Sequence, residues 1–130
     1  MTQIPAPSLP RPLRGEIWFV PFPGDPPGKM NRPVVIVSAD GRNQHPRAET
    51  VLVVPFSTQV RPGPTHITMQ PGETGLQHIC DLQAESITTI RKTTLQRPRT
   101  PTRTLREQQM RAIGRCVIKA LGIVPAELAE

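Results

Sequence analysis

The sequence is 130 residues long and sets 16 Lys and Arg against 10 Asp and Glu, a net charge of +6. This length suits one compact domain, and no apolar run approaches the ~20 residues of a membrane span. Two cysteines, Cys80 and Cys116, make no disulfide framework, so a reduced, cytoplasmic setting without a secretory signal is expected. Thirteen of the basic residues are Arg, which suits bidentate contact with a polyanion, and 17 prolines argue for short strands joined by turns rather than a helical bundle.

Residues 1–13 are Pro-rich and poor in packing groups, which predicts a disordered tail. Residues 14–124 form the expected domain, and 125–130 a short tail. Glu16 to Phe22 is β-branched and aromatic and reads as a strand. Pro23 to Asn31 is a turn-rich loop, long enough to do work. Arg32-Pro33 leads into Val34-Val35-Ile36-Val37, and Thr50 to Phe56 follows after a turn at Asp40-Gly41 and a loop from Asn43 to Arg47. Both runs are apolar on both faces, hence central strands. Thr65 to Gln70 alternates as a half-exposed strand, 71–75 is a turn, and 77–90 reads as a strand with a bend.

One helix is expected late in the chain. Thr104 and Glu107 have the spacing of a capping box. Met110, Ile113, Val117, Ala120 and Leu121 share one side, and Gly122 sits where a left-handed C-cap belongs. Five or more short strands and one C-terminal helix predict a mainly β fold, a small bent antiparallel barrel.

The charge is uneven. Residues 1–90 sum to zero, 91–119 carry nine basic groups against Glu107 alone, and 120–130 contribute −2. Arg111, Arg115 and Lys119 form a stripe beside the apolar face of the helix, a candidate dock for an anionic partner. His45, His66 and His78 lack metal-ligand spacing, so no metal site is expected, and His66 and His78, with nothing placing them together as an acid/base pair, read as strand-surface histidines. More informative is Arg32 at the start of one core strand, with Ser57, Thr58 and Gln59 at the end of the other. A cation and two hydroxyls there suit a phosphate pocket.

The segments RGEIWFVPF (14–22), NRPVVIVS (31–38), VLVVPFSTQ (51–59) and the stretch from Gly75 to Leu95 resemble, in order and spacing, the MazF/PemK toxins of type II toxin–antitoxin pairs. The resemblance implies a small SH3-like barrel and a metal-independent, sequence-specific endoribonuclease with no cofactor. Such an enzyme cleaves single-stranded RNA by 2′-OH attack, leaving 2′,3′-cyclic phosphate and 5′-OH ends. It also implies Arg32, Ser57 and Glu85 as catalytic residues. Phe22, Lys29, Asn31, Thr58 and Gln59 are then expected to contact RNA, with Arg111, Arg115 and Lys119 docking an acidic antitoxin or the RNA backbone. Ser57 stands where many members carry Thr, and Thr88 where an Arg is usual. A homodimer is implied by the resemblance alone. The competing readings are a non-catalytic nucleic-acid-binding barrel and a gyrase-inhibiting barrel like CcdB. The latter is disfavoured because the single Trp, Trp18, lies in the first strand and not in a terminal helix.

Overall fold

A computed structural model describes residues 9–128 of the chain. Residues 1–8 of the expected tail, and residues 129 and 130, lie outside the described residues. The end of that tail is not free. Pro12 is buried, the Gln44 side chain donates to the carbonyls of Arg11 and Pro12, and the Leu13 N–H donates to Glu16 at 2.6 Å.

Six strands follow: β1 (Ile17–Val20), β2 (Arg32–Ile36), β3 (Thr50–Ser57), β4 (His66–Met69), β5 (Cys80–Gln83) and β6 (Thr88–Arg91). All pairings are antiparallel. The order is β1-β2-β3-β5-β4, with β6 on β3 beside β5. The eight-residue β3 makes this possible: it pairs β2 through Val53–Pro55, β6 through Thr50–Val53 and β5 through Phe56–Ser57. β1 is tied to the chain beyond β6 by a bridge, Phe19 to Gln96, whose two backbone hydrogen bonds are 2.8 and 2.9 Å. The result is the mainly β, barrel-like sheet with a C-terminal helix that the strand pattern predicted.

Side chains alternate across the sheet and bury two cores. Ile17, Val35, Val54, Phe56, Leu82, Cys80 and Met69 share one face, covered by Leu105, Met110 and Ile113. Trp18, Val20, Val34, Ile36, Val51, Val53, Ile90 and Leu95 share the other. Each fully buried Val, Leu or Ile contributes about 1.5–3 kcal/mol. Two-sided burial is why the runs of β2 and β3 are continuously apolar. Both cysteines are free thiols.

Local expectations are corrected at four places. The expected turn at Asp40-Gly41 is a helical turn, α1 (Asp40–Asn43), that takes in the first residue of the 43–47 loop, and the 71–75 turn is another, α2 (Pro71–Thr74). The bend in 77–90 is a 3-10 turn, Ala84–Ser86, that separates β5 from β6. The long helix α3 spans Glu107–Ala120, so Thr104 does not cap it. Residues 97–106 instead run as a strap whose backbone is claimed elsewhere, Arg103 N–H by the Thr74 carbonyl and Leu105 N–H by that of Gly15. The helix starts when the strap ends, and Gln109 accepts the Arg106 N–H at 2.7 Å. At its other end Gly122 has φ +74°, with Gly122 N–H on Lys119 and Ile123 N–H on Ile118, a Schellman closure as expected.

Two glycines separate packing from propensity. Gly75 has φ +81°, and a Cβ there would lie 2.9 Å from the Thr102 Cα in the strap. Gly114, mid-helix, has nothing within 4 Å of a Cβ. Gly75→Ala is expected to cost about 2–4 kcal/mol through strain and overpacking. Gly114→Ala should be stabilising by up to about 1 kcal/mol. Chemical denaturation of the two variants against wild type checks both signs.

Candidate functional site

The polar residues of the site continue the second apolar face where that core runs out. Val34 on β2 pairs with Pro55 on β3, where that ladder ends, and Arg32, two residues earlier, lies on the same face as Ser57, two residues later. Ser57 pairs with Asp81 on β5, and Asp81 with Thr68 on β4. Paired residues point to the same side, so Arg32, Ser57, Asp81 and Thr68 form one polar row across four strands.

At one end of the row, the loop after β1 folds back on Arg32. Asp25 takes the guanidinium with both oxygens, Nε at 3.1 Å and Nη2 at 2.7 Å. Nη1 reaches the Phe56 carbonyl at 3.5 Å, and the guanidinium carbon lies 5.3 Å from the centre of the Phe22 ring. Lys29 approaches the same carboxylate at 3.9 Å. The site therefore holds one cation stacked on an aromatic ring, a second nearby, and an acid that occupies the first. The sequence reading missed Asp25, which sits in a Pro/Gly loop where acids usually just make turns.

The remaining expected contacts fall around this end. Phe22 is half-buried against the second core and has one face turned to Arg32, so it is a less open stacking platform than expected. Asn31 is half-buried immediately before Arg32. Thr58 and Gln59 are exposed just after β3, where the Ser57 hydroxyl accepts the Gln59 N–H at 3.1 Å.

The other end holds a cluster that the sequence reading discounted. With nothing in the sequence to place it beside His78, His66, on β4, reads as a strand-surface histidine. Its Nε2 meets Glu85 Oε1, and its Nδ1 meets the Arg61 carbonyl and, at 3.3 Å, Asp81 Oδ2. Asp81 is fully buried and also accepts Thr68 Oγ1–H and the Arg61 N–H, each at 2.7 Å. Glu85, in the 3-10 turn, has its second oxygen bonded by Thr65 at 3.0 Å. The hydrogen bond to Glu85, then that to the Arg61 carbonyl, raise the His66 pKa above its ordinary value against the opposing effect of burial. Burial works to raise the Glu85 pKa, but the bonds from His66 and Thr65 outweigh it and hold the carboxyl below its usual range. Sequence spacing hid this cluster, because His66 and Glu85 meet only through the β4–β5 register and the 3-10 turn.

The basic segment 91–119 is not one surface. Lys92 is buried, and its ammonium donates to the carbonyls of His45 at 3.0 Å and Arg42 at 3.4 Å. Burial, with Arg11 and Arg42 nearby, pushes its pKa down. Arg97 stacks on Trp18 at 4.4 Å. Arg99, Arg103 and Arg106 are exposed along the strap, and Arg103 and Arg106 line a groove of about 520 Å³ with Glu73 and Gln109. Arg111, Arg115 and Lys119 are exposed on α3, where Glu107 lies 3.4 Å from Arg111. Because α3 covers the first core, the stripe sits on the side of the sheet away from the polar row. Among the described residues, no three His, Cys, Asp or Glu side chains cluster as metal ligands, and no helix is long and apolar enough to cross a membrane.

The fold and the site together define a small antiparallel barrel with a helix over one face and an Asp25-paired Arg32 at the open end of the other. The family model for PemK-like, MazF-like toxins of type II toxin–antitoxin systems matches residues 13–121, and the chain belongs to that family. Among solved structures, it is similar to an endoribonuclease in complex with its cognate antitoxin from a mycobacterial species. That similarity is 27% identity and a TM-score of 0.67, over 87% of this chain and 97% of the other. A second mycobacterial endoribonuclease gives 26% and 0.68, over 88% and 95%. The Mycobacterium tuberculosis toxin MazF-mt6 shares the fold at 21% identity and a TM-score of 0.67, over 84% and 98%. No curated protein matches the sequence significantly.

An anion reaches Arg32 only if Asp25 yields. Asp25→Asn removes the competing charge and should tighten binding of a short 2′-deoxy oligonucleotide about tenfold at low salt, the worth of one charge-assisted hydrogen bond. Fluorescence anisotropy measures it, and an unchanged affinity would show that Arg32 is not the anion contact.

Proposed function

We propose that this protein is the toxin of a type II toxin–antitoxin pair and acts as an endoribonuclease on single-stranded RNA. Its family supports the toxin role, and two mycobacterial endoribonucleases of the same fold, at 26 and 27% identity, support the activity. The observation that supports the site is the Arg32 guanidinium at the start of β2, held by Asp25 and stacked on Phe22, with Ser57 on the same face at the end of the neighbouring β3.

RNA brings its own nucleophile. The 2′-oxygen attacks the adjacent phosphorus as the P–O5′ bond breaks, so the products end in 2′,3′-cyclic phosphate and 5′-OH. No metal is required to generate a hydroxide, and the protein's part is alignment and charge. Arg32 replaces Asp25 with the scissile phosphate and stabilises the charge that builds on its non-bridging oxygens. Its guanidinium does not give up a proton readily, so its role is electrostatic. The Ser57 and Thr58 hydroxyls donate to the same oxygens. The displaced Asp25 carboxylate, already beside the phosphate, takes the 2′-OH proton, and the leaving 5′-oxygen takes a proton from water. Glu85 has both oxygens engaged by His66 and Thr65 and acts through the ring. Lys29, Asn31 and Gln59 contact the flanking nucleotides.

Long RNA treated with the wild-type protein in excess EDTA should give discrete fragments with 5′-OH ends. Arg32→Ala should reduce cleavage by about 10²–10³-fold, the loss typical of one oxyanion-stabilising donor. A substrate with a 2′-deoxy cleavage site should stay intact. Cutting of that substrate would exclude the mechanism.

The neutralising partner is an acidic antitoxin segment that folds on the toxin, and the toxin itself is a homodimer. The Arg111–Arg115–Lys119 stripe is its dock. Reversing the three charges should weaken antitoxin binding at least about tenfold in calorimetry and leave cleavage of a short RNA unchanged. Loss of cleavage with antitoxin binding intact would assign the stripe to the RNA path.

A further inference from the structure

The ring of His66 meets acceptors at both nitrogens: the Glu85 carboxylate at Nε2, and the Arg61 carbonyl with the Asp81 carboxylate at Nδ1. A neutral imidazole has one N–H and one lone pair. Either neutral tautomer therefore turns a lone pair onto an oxygen that also carries only lone pairs. The site is complete only with the ring doubly protonated, whatever the ordinary preference of a histidine.

What this imidazolium holds is the loop that starts at the catalytic hydroxyls. Residues 58–65 connect β3 to β4. Arg61, in the middle, is gripped through both backbone groups, its carbonyl by His66 and its N–H by Asp81 at 2.7 Å. Asp81 is paired with Ser57 across the strands and is fully buried, so its charge needs a fixed counter-charge. The positive ring beside it, at 3.3 Å, supplies one. Resting on the ribonuclease reading above, we propose that His66 is a positioning residue for RNA cleavage. Its imidazolium, shared between Asp81, Glu85 and the Arg61 carbonyl, pins the 58–65 loop and holds Ser57, Thr58 and Gln59 in the arrangement that receives the RNA backbone.

The charged groups that face the ring are Asp81 from β5, Glu85 from the 3-10 turn and Arg61 from the loop itself, whose guanidinium turns away to Gln59 at 3.1 Å. The ring's pKa is raised in the folded protein, so the pinned loop is stable below the ordinary histidine value and is lost as pH rises through the raised one. Glu85, held below its usual range, releases the ring only when pH falls through that lowered value. Between these limits the loop is closed. Above the upper one, the Arg61 carbonyl loses its donor and two carboxylates stand uncompensated beside the phosphate path.

Cleavage kinetics from about pH 6 to about pH 9, with ¹⁵N NMR titration of the His66 ring in the same protein, test this. In wild type, kcat should fall along an alkaline limb whose midpoint matches the ring's titration. His66→Gln should lower kcat about tenfold at about pH 6, the loss of one hydrogen bond to a charged group, and abolish that limb. Glu85 is exposed, so Glu85→Gln is expected to fold like wild type in thermal melts. It should move the ring titration and the kinetic limb to lower pH together. A purely structural histidine would not produce that joint movement. RNA cut with no limb at the ring's titration, or a limb that persists in His66→Gln, overturns the inference alone. A wild-type chain that cuts no RNA at any pH overturns the ribonuclease reading and the inference with it.

Discussion

β3 hydrogen-bonds to three other strands within eight residues, to β6 at its start, β2 along its middle and β5 at its end. A strand cannot do this and stay flat. The bend forced on it turns one sheet into a barrel-like wrap, and strict alternation of its side chains feeds two cores at once. Val51 and Val53 go to one and Val54 and Phe56 to the other, all at or near zero exposure. The same constraint creates the site. Where β3 passes from its β6 partner to its β5 partner, the second core runs out, and that face continues through Pro55 to Ser57, which pairs with Asp81 and lies on the same face as Arg32.

The polar row is nearly balanced in charge. Arg32 and Lys29 share Asp25 at one end, and His66 is shared by Asp81 and Glu85 at the other. The excess positive charge lies on the strap and on the outer face of α3, on other elements. Chemistry and long-range attraction are thus divided between parts of the molecule. The placed cation is paired with Asp25, and the exposed arginines of the strap and α3 set a positive field on other parts of the surface.

The strands that build the cores were legible in the sequence because burial on two faces leaves an unbroken apolar run, and few other environments do. Arg32 was legible because it stands directly before such a run, and the Gly122 closure because a left-handed position has few alternatives to glycine. What escaped were features set by contacts between distant segments. Thr104 and Glu107 have capping-box spacing, but the Leu105 N–H bonds the Gly15 carbonyl instead, and tertiary pairing overrides the local motif. Lys92 reads as surface charge. Its partners are carbonyls 47 and 50 residues away, at the end of a helical turn that the Asp40-Gly41 pair disguised as a loop. His66 and Glu85 are 19 residues apart, and only the β4–β5 register brings them together.

The bidentate grip of Asp25 on Arg32 also sets a threshold for entry. A lone phosphate group that takes the place of a carboxylate exchanges one anion for another of similar geometry and gains little. Free nucleotides, however abundant, therefore compete poorly for the guanidinium. On the ribonuclease reading a polymer is different, because phosphates held elsewhere on the protein would present the next one to Arg32 at high effective concentration. On that reading the Asp25 latch would distinguish a chain from its monomers before any base is read.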